Sequence, residues 1–252
     1  MLCQPLQVDT TKTARMIGVG ASVMGDPTVR TKPCIALIAD MVRSRELTRR
    51  QRPSVQKRFK EFVDYLNRTY SRSILSRFVI TLGDEFQGIL SSATAIPDLL
   101  WDIDHRFSDR NLRVGMGFGV LDTPIQKEAI NVDGPALHMA RAAIQTAHEK
   151  RCYGGVFLGF GELDTVMNGL ARILWFQRRR LTKTQLRIAE LLRQGRSQSE
   201  AADALKITRQ AISKQVLAMG WFPYAEAEEA WRVLLDRYIN PMIEKRNVSH
   251  QR

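Results

Sequence analysis

Cysteine, long apolar runs and acidic residues are all scarce in this chain. The cysteines are Cys3, Cys34 and Cys152, far apart and without a Cys-x-x-Cys pair. That excludes a disulfide framework and a zinc ribbon and points to reduced thiols. No apolar run approaches the ~20 residues of a membrane-spanning helix. The opening stretch, MLCQPLQVDTTKTARMIGVGASVMGDPTVRTKP, has no compact apolar segment of the signal-peptide kind. A cytoplasmic protein without a membrane partner is therefore expected. Acids are outnumbered, 26 Asp and Glu against 38 Lys and Arg, giving a formal net charge of +12. Such a surplus points to a polyanionic partner. What is plentiful is core: 44% of the 252 residues are hydrophobic, enough for one large domain or two modest ones.

Residues 1–32 show no periodicity and read as a poorly ordered leader; Met16 and Met24 are alternative starts. From Cys34 the punctuation is clear. CIALIADMV (34–42) is a continuous apolar run broken only by Asp40, which predicts a central strand buried on both faces. PSVQKRFKEFVDYLNRTY places Val55, Phe59, Phe62 and Leu66 at helical spacing behind a Pro suited to a first turn. SRFVITL and EFQGIL predict two strands joined at Gly83-Asp84, with Gly supplying the positive-φ position. A helix over about 93–107 and a strand over 112–121 follow. Beyond them DGPALHMARAAIQTAHEK, GGVFLGF and ELDTVMNGLARILWFQ read as helix, strand and helix. The order β-α-β-β-α-β matches an α+β, ferredoxin-like unit: an antiparallel sheet with helices on one face and the other face available.

The strand at 112–121 puts Val114, Met116, Phe118 and Val120 on one face and Gly115, Gly117 and Gly119 on the other. Glycine within a strand marks a close approach. The approaching group is either a ligand or packed protein, in the latter case the leader or a second subunit.

ITLGDEFQGIL (80–90) sets two successive acids at the tip of the hairpin. Asp40 at the end of the first strand and Asp84 at that tip are expected to converge. Two carboxylates there would suit Mg²⁺, which takes one or two protein carboxylates together with water and phosphate oxygens; a nucleoside triphosphate is the matching ligand. Alternatively Asp40, Asp84 and Glu85 form a turn and a salt-bridge partner for Arg43, Arg45 or Arg113.

The GDEF hairpin, following an acid-ended first strand, resembles the GGDEF and class III nucleotidyl cyclase superfamily. ALIADMVRSREL, ITLGDEFQGIL, RVGMGFGVL and VDGPALHMARAAI, in that order, resemble the SatD family of bacterial proteins, over most of 34–220. The resemblance implies a palm-like domain with Asp40 and Asp84 as metal ligands and Glu85 beside them. It also implies phosphate contacts from Ser44, Arg45 and Gly83, and Arg141 near a transferring phosphate. Two positions depart from the cyclase pattern: Leu82 stands for its first glycine, and Leu137 for an asparagine. His138, next to Leu137, is a candidate donor in its place.

LTKTQLRIAELLRQGRSQSEAADALKITRQAISKQVLAMG (181–220) predicts three helices. Thr182 with Gln185, and Ser197 with Glu200, spell two capping boxes, and Gly195 ends the first helix. Leu186, Ala189, Leu192, Ala201, Leu205, Ile207 and Ile212 are the expected small core. The run resembles the helix-turn-helix of LuxR-type regulators and of sigma factor region 4. That geometry would present Thr208, Arg209, Gln210, Ser213 and Lys214 to the major groove, with Lys214, Arg193 and Arg196 suited to phosphates. A composition shift at Arg178-Arg179-Arg180 divides the chain into a leader (1–32), an α+β domain (33–177) and a helical domain (178–252). In the last segment Ala230, Val233, Leu234 and Ile239 are expected inside, and Trp221, Tyr224 and Trp231 over the helix-turn-helix core or a dimer seam. The expectation is a homodimeric, duplex-DNA-binding transcription regulator whose cyclase-like domain binds Mg-nucleotide or mediates dimerisation. The alternatives are a nucleotidyl cyclase-type enzyme, with Glu85, Arg141 and His138 as catalytic candidates, and a structural partner in a larger complex.

Overall fold

The computed structural model describes residues 32–81, 83–107 and 111–244. All but the last residue of the expected leader lies outside these residues, as does Leu82. The chain is a mixed α+β protein built on a five-stranded sheet. Strand β1 (Cys34–Met41) lies at its centre, pairing antiparallel with β3 (Glu85–Leu90) on one side and β4 (Leu112–Gly119) on the other. Strand β2 (Ile74–Ile80) extends the sheet antiparallel beyond β3, and β5 (Val156–Leu158) extends it parallel beyond β4. At the β2–β3 turn Gly83 has φ 78°, the left-handed conformation its position predicts.

Residues Cys34–Ala39 have no exposed surface, so both faces of β1 must be covered. One face, with Ile35, Leu37, Ala39 and Met41, shares a core with helices α1 (Arg52–Thr69) and α2 (Ile96–Arg106). Phe59, Phe62, Phe78, Phe86 and Phe107 form its aromatic centre, with ring centroids 5.5–6.4 Å apart. Each such ring removed from water stabilises by roughly 1.5–3 kcal/mol.

The opposite face is where expectation fails. Helix α3 (Pro135–Glu149) packs there, joining Cys34, Ala36, Ile38 and Ile89 to Leu137, Ala140 and Ile144. Helices thus cover both faces of the sheet, not one, and the glycine row of β4 is not bare. Those glycines admit the helix: a Cβ at Gly117 would stand 2.1 Å from the amide nitrogen of Ala140, and one at Gly115 would stand 2.4 Å from that of Ile144. With no side chains between them, helix backbone lies directly on strand backbone. The close approach predicted at these glycines exists, but α3 makes it.

Helix α4 (Leu163–Arg178) is tied to β5 through Asn168, whose amide both accepts from and donates to the backbone of Phe157 at 2.8 Å. It leads into α5 (Lys183–Arg193), α6 (Gln198–Leu205), α7 (Arg209–Ala218) and α8 (Trp221–Leu234). A π-helical turn (Leu235–Ile239) and a short α9 (Asn240–Glu244) close the described chain. Both capping boxes form, and each satisfies two amides that the first helical turn leaves unpaired.

Two expectations about this block are corrected. Ile207 is 38% exposed, since the turn at Lys206 (φ 55°) carries it outward. The inward side of α8 and the π turn is Tyr224, Glu228, Trp231, Leu235 and Ile239, while Ala230 and Val233 face out. A row containing a glutamate is invisible to an apolar pattern; Glu228 is buried because two arginines neutralise it.

Candidate functional site

Antiparallel register decides what meets at the sheet tip. Asp40 of β1 lies between Glu85 of β3 and Arg113 of β4. Side chains directly opposite on neighbouring strands share a face, so the pair brought together is Asp40 with Glu85. Arg113 Nε donates to Asp40 Oδ1 at 2.9 Å. Arg141, reaching from α3, donates to Glu85 Oε2 at 2.7 Å, and Thr81 Oγ1 donates to Oε1 at 3.0 Å. Two carboxylates and two guanidiniums therefore balance. Of the partners considered for these acids, Arg113 is the one that engages Asp40, while Arg43 pairs with the nearby Glu46. Burial pushes the Asp40 carboxyl above the usual carboxylate range; Arg113 pulls it down, and Glu85 and Asp84 add to the rise.

Asp84 belongs to a different microenvironment. The amide of Met41 donates to its carbonyl oxygen at 2.9 Å, which sets Asp84 opposite Met41, one residue out of step with Asp40. Strand alternation turns neighbours to opposite faces. Asp84 accordingly lines a recess on the α1 side, and Ser44 Oγ donates to its carboxylate. Arg45, Arg52, Gln56 and Gly83 complete the polar wall of this recess, and Met41, Leu47 and Val55 its apolar floor, around about 120 Å³. Asp40 and Asp84 are thus neighbours in charge but not partners in one cradle. Among the described residues no group of three or more His, Cys, Asp or Glu side chains is arranged to hold a metal ion. His138 stands apart from both places, its Nε2 2.9 Å from Asp133 Oδ1 at the start of α3.

Sequence reading did not reach Arg52 and Gln56. Their signal was available: on α1 they stand i and i+4 to each other, flanking the buried Val55.

The second cluster is on the helical block. Thr208 caps α7, its hydroxyl accepting from the amide of Ala211 at 3.1 Å. Ile212 and Val216 bury the inner side of α7, while Arg209, Gln210 and Lys214 are exposed and Ser213 is half-buried. Among the described residues neither Arg209 nor Lys214 makes an ion pair with a carboxylate. Arg196, before α6, is also exposed.

Arg193 is corrected. It was expected to be a phosphate contact, yet its side chain is nearly buried between α2 and α8. It donates to Asp98 at 2.6 Å and to both carboxylate oxygens of Glu228, and lies 4.3 Å from the ring centre of Trp101. Arg232 completes the cluster on Asp98 and Glu228 at 2.8 Å. Those guanidiniums hold the Asp98 carboxyl below its usual range although burial opposes them.

The model of the SatD family matches residues 34–229, a span that takes in the sheet tip, the recess and α7. The chain belongs to the SatD family. No curated protein matches it.

Proposed function

We propose that this member of the SatD family binds duplex DNA through α7 and acts as a transcription regulator. The observation that carries the proposal is the division of α7. One side is locked into the core by Ile212 and Val216, and the other offers Arg209, Gln210 and Lys214 to solvent at a capped N-terminus. A recognition helix enters the major groove with its N-terminal residues at the base edges. Arg pairs with guanine and Gln with adenine through two hydrogen bonds each, while Lys214 and Arg196 suit phosphates. The turn at Lys206-Ile207, between α6 and α7, and the two capping boxes of α5 and α6 support a helix-turn-helix reading. They fix the helix geometry before any ligand arrives.

Fluorescence anisotropy with a labelled random-sequence duplex tests this. Affinity should fall steeply with added salt. Arg209→Ala should lose about 1–3 kcal/mol on preferred sites and relax base preference, whereas Lys214→Ala should weaken all sequences alike and lower the salt slope by about one. No binding at low salt would overturn the proposal.

A second reading is favoured by the recess beside Asp84. The strand order β2-β3-β1-β4 with helices after β1 and β3 supports reading the sheet as a ferredoxin-like unit and, with it, as a palm-like, cyclase-related domain. With Asp40 and Glu85 engaged by arginines, a phosphate carried by Mg²⁺ would meet Asp84 as its carboxylate and Ser44, Arg45 and Arg52 as its donors, which fits a cation that accepts as few as one protein carboxylate. Calorimetric titration of Mg-ATP or Mg-GTP should give heat for the wild type and less for Asp84→Ala. Absence of heat with both nucleotides removes this reading and leaves the DNA reading untouched.

A further inference from the structure

Helix α4 is apolar on two sides. Its inner row, Met167, Ala171 and Leu174, is buried. Its outer row, in steps of three and four residues, runs Val166, Gly169, Ile173 and Phe176, with Glu162 just before the first helical residue and Arg180 two residues past the last, four residues beyond each end of the row. Val166 is 45%, Ile173 61% and Phe176 45% exposed, and a Cβ at Gly169 would meet nothing within 4 Å. Steps of four and three are the spacing of a helix-pairing seam, and a helix apolar on both sides is characteristically covered on both.

The order of residues in this row identifies what covers it. Reversed end for end about Ala171, the row brings Glu162 level with Arg180, Val166 level with Phe176 and Gly169 level with Ile173. We propose that a second copy of this chain covers the row, with the two α4 helices antiparallel across a two-fold axis at the level of Ala171. In that arrangement Ile173 enters the gap above Gly169 of the mate and Phe176 packs on Val166. Glu162 meets Arg180, which already lies 5.3 Å from the ring centre of its own Phe176. Each of the three contacts occurs twice, as an isologous interface requires, and the opposed helix dipoles attract. A parallel pair would instead set Glu162 against Glu162 and Arg180 against Arg180, and would leave the glycines facing an unfilled space. Asn168 holds α4 rigidly to β5, so the row is a preformed surface.

This inference does not rest on the DNA reading, because mass in solution is measured without nucleic acid. Sedimentation equilibrium of the full chain should give a dimer. Ile173→Glu should give a monomer with unchanged far-ultraviolet circular dichroism. Glu162→Arg and Arg180→Glu should each raise the dimer dissociation constant about tenfold by placing like charges together, and the two combined should restore it to within about threefold. A monomeric wild type overturns the inference, as does a dimer that Ile173→Glu leaves intact. Should Ile173→Glu fail to fold, the charge series decides alone: a double exchange no better than the singles sinks the two-fold seam.

Discussion

The helical block carries arginines on two sides, and the two sides treat them differently. On the side facing α2, Arg178 donates to Asp104 at 2.6 Å with both side chains buried, and Arg193 and Arg232 share Asp98 and Glu228. On the outer side, Arg209 and Lys214 meet no carboxylate among the described residues. An arginine with a buried partner holds the structure together, whereas one facing water is available to a polyanion. The net charge of +12 is therefore a poor guide until each cation's partner is known.

The comparison breaks most visibly at its most buried pair. Asp104→Ala would leave the Arg178 guanidinium in a dry environment without its counter-charge, and losing one member of such a pair costs about 3–5 kcal/mol. For a chain of this size that is a fall in melting temperature of roughly 10 °C, read by circular dichroism. Lys214→Ala on the outer side should change stability by no more than about 0.5 kcal/mol. If both substitutions shift the melting temperature equally, the two sides are not different in kind.

Much of this architecture is legible in the sequence, and the illegible parts share a cause. The continuous apolar run of β1, the amphipathic spacing of α1, both capping boxes and the turn at Gly83 are local signals, and each forms. The glycine row of β4 announces a close approach but not its maker, because α3 arrives from a later part of the chain. The sheet tip is subtler: Asp84 and Glu85 look interchangeable as letters, yet a one-residue step in register sends them to opposite faces. Arg193 and Arg209 look alike too. Asp98, the partner that removes Arg193 from the outer side, is 95 residues away, beyond any local pattern. In the run Arg178-Arg179-Arg180 the first arginine is the last residue of α4 and is 2% exposed, a burial that the composition of the run does not reveal.

A smaller effect sharpens the comparison by acidity. His105 on α2 packs against Trp101 with the rings tilted by 36° and their centres 4.2 Å apart, and its Nδ1 lies 2.8 Å from the Trp101 carbonyl oxygen. A carbonyl only accepts, so Nδ1 carries the proton and the neutral ring leaves Nε2 bare. Burial, with the cations of Arg178, Arg193 and Arg179 beside it, pushes the imidazole down to about 4 despite that hydrogen bond. In the unfolded chain it titrates near 6.5. Between those values the unfolded state binds a proton that the native state refuses, so stability falls as pH drops from about 6.5 towards 4. Allowing for the ring's partial exposure, the loss is on the order of 2 kcal/mol. His105→Asn keeps a donor for the Trp101 carbonyl and removes the titration. Urea midpoints measured from pH 7 to 5, where most carboxylates remain ionised, should therefore decline less in the variant than in the wild type. Parallel declines would mean that the inner side does not govern acid sensitivity. A shallower one would divide the block cleanly, with acid acting on its inner side and salt on its outer.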